Sequence, residues 1–500
     1  MGSIGTTTSK RQITDDDIST LRTLLGSSAT TCLHTPESTD YTNSIKRWSV
    51  AAQKPAGVVL TPTTNEEIAI AVKYAVSNGI DLAVKGGGHS TAGVSSTSGG
   101  LLIDLNAKLR SVTVDMTKKQ LRIQGGATWG EVDQAGAKHG LATVGGTVAD
   151  TGVGGLTLGG GYGFLSGQRG LVIDNLVEAT VVTASGEIVT ASKTQNADLF
   201  WALAGAGQNF GVTTEFVLQA YEQGDVWAGL LIFPPVKEVV EKVVAAINDL
   251  YTADANGVTK VAGRGCGGLA LMRPPPDHAQ VVLGVQVIYF GTEEQGKEMF
   301  KSLYEIGPLA DTTAVVPYPT VNNLLAPPIG MRASMKGAAY AMPIRPEYVN
   351  EMVGEFVQFT DGNDDAKGSI LMWELYDAAK VVQFQDNGSF ANRGWHLNGL
   401  ILPMWTKEEN DMKFRQWARD MNEKFKKELE IAGLEAGKGV EGGVGVRGSK
   451  GAVLLYGNYD QYDEKSRDIF GDNYPRLQKL KAKYDPTNAF DKLFAITPAA

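Results

Sequence analysis

Eleven of the 26 residues from Gly145 to Gly170 (GGTVADTGVGGLTLGGGYGFLSGQRG) are glycine. The run is too irregular for a repeat and too apolar for a linker, so its glycines must admit close contact, backbone against backbone or backbone against a flat ligand. They belong to a wider excess of 60 glycines in 500 residues, where an average protein has roughly 7%. A second glycine loop, Lys85-Gly86-Gly87-Gly88-His89-Ser90, lies upstream. Consecutive glycines let N–H groups converge on phosphate and let the chain lie along a ring; a flavin dinucleotide presents both. Taken alone, Gly86 to His89 is equally an ordinary tight turn with an exposed histidine. The second loop favours the ligand.

Local signals place both loops. Val58-Val59-Leu60 reads as a buried strand, Thr64 with Glu67 makes a capping box, and Ile68, Val72, Ala75 and Val76 recur at helical spacing until Asn78-Gly79. Ile80 to Val84 re-enters a strand, so a β-α-β unit delivers the first glycine loop to a strand end. Strands are predicted at 101–105, 112–114 and 121–123, and a second capping box, Thr128 with Glu131, opens a helix that stops near His139-Gly140. A hairpin follows at 177–183 and 187–191, then a short helix from Asp198 and a strand at 212–218. Beyond Gly224, long helices (236–251, 293–304) alternate with strands (280–290). The fold class is α+β, and the first domain closes near Tyr221. Gly433 to Gly451, with eight glycines in 19 residues, reads as a mobile surface loop, with a strand from Val453 onward.

Composition narrows the function. With 43% hydrophobic and 20% charged residues the chain is globular, and a formal charge of −9 repels polyanions, which argues against a nucleic-acid partner. The most apolar stretch, Val226 to Val236, is broken by Pro234 and Pro235 and falls short of the ~18 residues of a membrane span. Cys32 and Cys266 are too few for a disulfide framework, and the polar start MGSIGTTTSKRQITDDD has no secretory core, so a cytoplasmic protein is expected. Gly2 to Thr6 fits a myristoylation pattern but reads as a flexible polar tail, and the sequon Asn387-Gly388-Ser389 matters only in a secreted chain. Three G-x-G-x-x-G matches, 263–268, 437–442 and 443–448, read as decoys, because none follows a strand and opens a helix. His34, His89, His139, His278 and His396 show no ligand spacing, and no metal site is expected.

Several ordered motifs carry a resemblance. VKGGGHS (84–90), GATWGEV (126–132), GVGGLTLGGGYG (152–163), GLVIDN (170–175), DLFWALAGAGQNFG (198–211), Asn458-Tyr459 and NYPRLQKLKAKYDPTNAF (473–490) are similar to the berberine bridge enzyme-like branch of the vanillyl-alcohol oxidase / p-cresol methylhydroxylase flavoproteins. The resemblance spans roughly residues 50 to 500 and implies a two-domain FAD-binding fold of vanillyl-alcohol oxidase type, with an FAD domain at 1–222 completed by 456–500 and a sheet-plus-helices substrate domain at 223–455. It implies FAD carried by His89 through an 8α-histidyl bond, with Lys85, Gly86, Gly87, Gly88 and Ser90 around it. It also places Gly146, Thr151, Gly152, Val153, Gly155 and Gly159 on the cofactor. Gly160, Tyr162, Gly163, Val212 and Asn458 complete that set. Many relatives add a second link from a cysteine four residues before the GVGG stretch; Val148 stands there, which implies a single covalent link. Val153 looks compatible with room for oxygen beside the flavin.

On the substrate side the plant relatives' tyrosine and glutamate, two and three residues after the linking histidine, are Thr91 and Ala92 here. The family's tyrosine base is matched by Tyr459, which the pattern LLYGNYDQY places on a strand. Ionising a tyrosine at neutral pH needs a shift of about three units, or ~4 kcal/mol; Lys336, Arg332 and Arg393 are candidate helpers. Met372, Glu374 and Tyr376, or alternatively Trp373 and Leu375, could line a pocket, as could Phe390 to His396 and Trp405. For Glu374 a salt-bridged surface carboxylate is an equal reading. The resemblance implies an oxidase that passes hydride from an alcohol, a carbohydrate or a secondary metabolite, to FAD and reduces O2 to H2O2. A dehydrogenase, an oxidative cyclase and a non-catalytic FAD-binding protein remain open. So does the oligomeric state.

Overall fold

The computed structural model describes residues 10–433, 455–459 and 463–500. The myristoylation pattern, most of the 433–451 loop, the glycine motifs at 437–448 and the strand from Val453 lie largely outside these residues.

The β-α-β unit forms as its sequence dictates. Thr64 Oγ1 accepts from Glu67 N–H at 3.3 Å and Glu67 Oε2 accepts from Thr64 N–H at 3.3 Å, closing the box at the start of the helix Asn65–Ser77. The strands Val58–Leu60 and Leu82–Lys85 both run parallel to Leu101–Asp104, which lies between them, with Leu33–His34 antiparallel at the far edge. Ile68, Val72 and Ala75 of the helix are buried against this sheet. Among the described residues a second, antiparallel sheet orders Val112–Asp115, Gln120–Gln124, Val212–Gln219, Leu176–Val182 and Ile188–Ser192. The helix Trp129–Ala137 opens on its expected capping box.

The third sheet has eight strands among the described residues, all antiparallel. Its order is Ala310–Asp311, Val226–Phe233, Val282–Tyr289, Gly265–Met272, Ile370–Leu375, His396–Leu402 and Lys336–Ala341, and Ala314–Val316 also pairs with Val226–Phe233. Its alternating residues divide two ways. Leu271, Val285, Trp373 and Ile401 pack against the helices Lys237–Tyr251, Pro346–Asp361 and Asp411–Ile431. The other face, with Gln286, Met372, Glu374 and Leu400, looks into a cavity. Gly263 to Gly268 leads into the strand Gly265–Met272 and opens no helix, so it is no phosphate loop. The helix expected over 293–304 breaks at Phe300 into Glu293–Met299 and Lys301–Ile306, because Phe300 turns inward to pack on Trp227.

The C-terminal helix Tyr474–Tyr484 docks on Ala197–Ala206. Lys483 Nζ and Tyr484 Oη reach Asp198 at 2.7 and 2.8 Å, while buried Lys481 donates to Asp485, Asn209 O and Phe490 O at 2.6, 2.6 and 2.7 Å. Among the described residues no helix is long and apolar enough to cross a membrane, and no cluster of three metal-ligating side chains occurs.

Candidate active site

The strand Leu82–Lys85 ends in Gly86-Gly87-Gly88, and Gly88 turns with φ +73°, a conformation that glycine adopts without strain. The loop meets the second glycine segment backbone to backbone. A β-carbon on Gly87 would stand 2.4 Å from Gly152 N, and one on Gly152 would stand 2.2 Å from Gly87 N. The first turn of Trp129–Ala137 holds that segment: Trp129 N–H donates to Thr151 O at 3.0 Å, Gly130 N–H to Ala149 O at 2.8 Å, and Val153 N–H to Ala127 O at 2.9 Å. The two loops thus form one rigid cradle.

His89 stands at its mouth. Its ring stacks on Trp48 with centroids 5.1 Å apart, Thr151 Oγ1 lies 3.4 Å from Nδ1, and Asp150 Oδ1 lies 3.0 Å from Nε2 without hydrogen-bond alignment. Burial pushes the Asp150 carboxyl up, but the His89 ring outweighs it and leaves the group below the ordinary carboxylate range. Trp48 N–H donates to Gly88 O at 3.1 Å, which ties the stacking ring to the loop. No sequence signal singles out Trp48, since its partner is 41 positions away.

The cradle opens into a cavity with about 320 Å³ free to the centre of a water molecule. Gly86, Gly87, Gly88, His89, Ser90, Thr151, Gly152, Gly155, Tyr162, Asn458 and Tyr459 line it, and Val148 does too. Other expected residues lie behind its wall. Lys85 is buried and donates to Asp104 Oδ2 at 3.1 Å, the partner that strand register sets opposite it. Val153 is fully buried in the core, so room for oxygen cannot be argued from its side chain. Val212 is paired in the second sheet opposite Val182, while its neighbours Gly211 and Thr213 face the cavity. Gly146, Gly159, Gly160 and Gly163 serve protein contacts: β-carbons there would strike Trp129, Asn458, Phe390 and Gly145 O at 2.7, 1.9, 2.5 and 1.8 Å.

The far wall carries the chemistry. Tyr459 Oη donates to Glu374 Oε1 at 2.6 Å. Burial pushes Glu374 up to about 7, with Tyr459 and the nearby Asn398 carboxamide holding it lower than burial alone would. Burial and the Glu374 charge together drive the Tyr459 hydroxyl well above its ordinary value, so Tyr459 is no standing phenolate. The segment Leu455–Tyr459 is a turn rather than the expected strand. Asn458 folds inward instead, where Nδ2 donates to Leu156 O at 2.8 Å and Tyr456 Oη at 2.9 Å in the space that Gly159 leaves. The candidate cations are all engaged elsewhere: Arg332 with Asp411, Arg393 with Asp174 and Lys336 with Asp463. Tyr459's partner is the carboxylate Glu374. Of the two strand faces, Met372, Glu374 and Tyr376 line the cavity, whereas Trp373 and Leu375 belong to the helix-facing core. Trp405 packs on Phe414 and donates to Asp411, so it takes no part in the cavity.

Buried polar atoms are almost always hydrogen-bonded, yet Ser95 Oγ, Thr213 Oγ1, His89 Nε2 and Glu374 Oε2 around this cavity have no hydrogen-bond partner among the described residues. Two hydroxyls and a ring nitrogen around a glycine cradle, facing a carboxylate, fit a flavin dinucleotide with a substrate beside it. A cavity of this kind belongs to a flavin-dependent oxidoreductase.

Residues 56–192 match the FAD binding domain family and residues 455–493 the berberine and berberine-like family. The FAD-linked oxidoreductase pgmH of Aspergillus terreus is 32% identical over 479 residues, 92% of each chain. Two solved structures share the fold. The 6-hydroxy-D-nicotine oxidase of Arthrobacter nicotinovorans has a TM-score of 0.75 at 24% identity, over 93% of this chain and 98% of that one. The glucooligosaccharide oxidase of Acremonium strictum, with its 6-S-cysteinyl, 8α-N1-histidyl FAD, has a TM-score of 0.75 at 21% identity, over 96% and 99%. The chain belongs to the berberine bridge enzyme-like FAD-linked oxidoreductases of the vanillyl-alcohol oxidase family.

Proposed function

We propose that this chain is an oxidase that takes a hydride from a hydroxyl-bearing carbon of a small molecule and passes the electrons to O2, releasing H2O2. The Glu374–Tyr459 hydrogen bond on the cavity wall carries this reading. FAD, held in the cradle and linked to His89, supplies the two-electron acceptor. The chain's own part is proton transfer. Tyr459 takes the substrate hydroxyl proton while its own proton passes to Glu374 Oε1, so the base strength comes from the carboxylate. Loss of that proton frees the C–H bond to leave as hydride, and the carbinol becomes a carbonyl. With Glu374 at about 7, the carboxylate needed to accept the proton is substantially populated at neutral pH.

Val148 on the cavity wall, with Cys32 and Cys266 both buried, supports a single covalent link. The docking of the C-terminal helix on Ala197–Ala206 supports a flavin unit of residues 1–222 and 456–500 with a substrate unit at 223–455. The oxidases that share the fold support O2 as acceptor.

Anaerobic stopped-flow reduction of the holoenzyme by a panel of alcohols tests the reading. Tyr459→Phe and Glu374→Gln should keep their flavin and slow its bleaching by about 10²–10⁴-fold. In the wild type the bleaching rate should rise with pH to a plateau above about 7, as Glu374 ionises. Reoxidation in air with one H2O2 per turnover identifies an oxidase; reoxidation only by a quinone dye identifies a dehydrogenase. If no alcohol bleaches the flavin, catalysis of this kind is excluded.

A further inference from the structure

We propose that Asp150 is a positioning residue for His89: its carboxylate takes up the Nε2 hydrogen, so that the bond to FAD forms at Nδ1 and forms quickly. This rests on the reading above that FAD is linked to His89.

Three observations carry it. The first is reach. Asp150 Oδ1 lies 3.0 Å from His89 Nε2, and that nitrogen is buried with no aligned hydrogen-bond partner among the described residues. The Asp150 side chain is 38% exposed, free enough to turn into line with the ring. A carboxylate only accepts, so the nitrogen it meets must carry the hydrogen, and Nδ1 then presents its lone pair. The contact on that side agrees, because Thr151 Oγ1, 3.4 Å from Nδ1, is a hydroxyl that can donate to the lone pair.

The second is how firmly the pair is held. Thr151 N–H donates to Val148 O at 3.1 Å and closes a turn around Asp150. On either side of Asp150 the carbonyls of Ala149 and Thr151 accept from the first turn of Trp129–Ala137 at 2.8 and 3.0 Å. Asp150 O lies 3.1 Å from where a β-carbon on Gly87 would stand, so the turn rests against the loop that carries His89 two residues further on. Trp48 stacks on the imidazole and limits its rotation.

The third is placement. His89 lines the cavity and Asp150 stands outside it, so the carboxylate meets the ring from behind and leaves the cavity to FAD. Bond formation at Nδ1 turns the orphaned Nε2 into a cationic N–H, for which a carboxylate is the fitting partner. In that step an N–C bond forms between Nδ1 and the 8α-methyl carbon, one C–H bond of the methyl breaks, and the Nε2 proton is shared with Asp150 and lost to water. The two electrons of the C–H bond pass by way of the flavin to O2, which leaves with two protons as H2O2.

Full-length chain made in riboflavin-limited cells and then given FAD in air provides the test. Acid-quenched samples follow the covalent fraction with time, flavin fluorescence follows noncovalent binding, and NMR of the isolated flavin peptide identifies the linking nitrogen. The wild type should load covalently, with the bond at Nδ1. Asp150→Asn and Asp150→Ala should bind FAD noncovalently and link it about 10²-fold more slowly. Formate, a small carboxylate, should speed linkage in the alanine variant and leave the wild type unchanged, which a merely structural role for Asp150 does not predict. A bond at Nε2 overturns the proposal, as do variants that link FAD at the wild-type rate or an alanine variant that formate does not speed. If both variants fail to bind FAD, the nitrogen found in the wild type still decides. A wild type that binds FAD and never links it overturns the His89 link itself, and the role of Asp150 with it.

Discussion

Gly87 and Gly152 touch through their backbones, each occupying the space that a β-carbon on the other would need. Neither neighbour can yield, since both are main chain. Gly87→Ala and Gly152→Ala should each cost about 1–3 kcal/mol, lower the melting temperature and reduce flavin content. Gly155→Ala is the control for folding, because a β-carbon there meets nothing within 4 Å. It should melt like the wild type. Melting curves of the purified variants, with flavin absorbance per chain, check all three.

His89 stacks on Trp48 at the cradle mouth, and the proposed FAD link is to its ring. Acid precipitation of the wild type should leave the yellow colour in the pellet, with FAD mass on the peptide containing His89. His89→Ala should release all flavin to the supernatant. Val148→Cys places a thiol on the cavity wall at the position of the second link, and peptide mapping should then find FAD on the peptide containing residue 148 as well.

Arg393 and Asp174 form a bidentate ion pair at 2.7 and 2.8 Å, with side chains 1% and 0% exposed. Asp174 Oδ2 also accepts from Leu171 N–H at 2.7 Å. Breaking a buried pair strands a charge, so Arg393→Met should lower stability by about 3–5 kcal/mol. Adding Asp174→Asn should recover part of the loss, because the second change removes the stranded carboxylate. Denaturation midpoints of the single and double variants decide this.

Asp133 sits fully inside the protein, where Oδ2 accepts from Asn322 Nδ2 at 2.6 Å and Oδ1 has no hydrogen-bond partner among the described residues. Burial raises its carboxyl from the ordinary 3.8 to about 8, with the Asn322 hydrogen bond opposing. The folded state therefore holds a proton that the unfolded state releases. Its contribution to stability is complete below the unfolded value and is lost as pH rises toward 8. Between about pH 5 and pH 7 the wild type should lose close to 1.4 kcal/mol per pH unit relative to Asp133→Asn. Urea unfolding of both proteins at several pH values measures the difference.

How far the sequence reaches can be judged residue by residue. Thr64 with Glu67, Thr128 with Glu131, the β-α-β unit and the two glycine loops were legible because each depends on residues a few positions apart. The motifs from VKGGGHS to NYPRLQKLKAKYDPTNAF were enough to assign the family. The individual glycines were less legible. Gly87, Gly152 and Gly155 face the cradle, while Gly159 makes room for Asn458 and Gly163 for Gly145 O; composition treats them alike. Val153 likewise lies beside the cradle in sequence and in the core in space.

The sequence by itself determined the two glycine loops and the histidine that follows the first, because local backbone conformation and capping are set by near neighbours, and the family resemblance singled out Tyr459. Only the tertiary structure decided that Tyr459 meets Glu374, that Trp48 stacks on His89, and that Met372 rather than Trp373 faces the cavity. Those outcomes depend on sheet register and on which face of a strand is covered by helices, and a one-residue slip in register would exchange the faces.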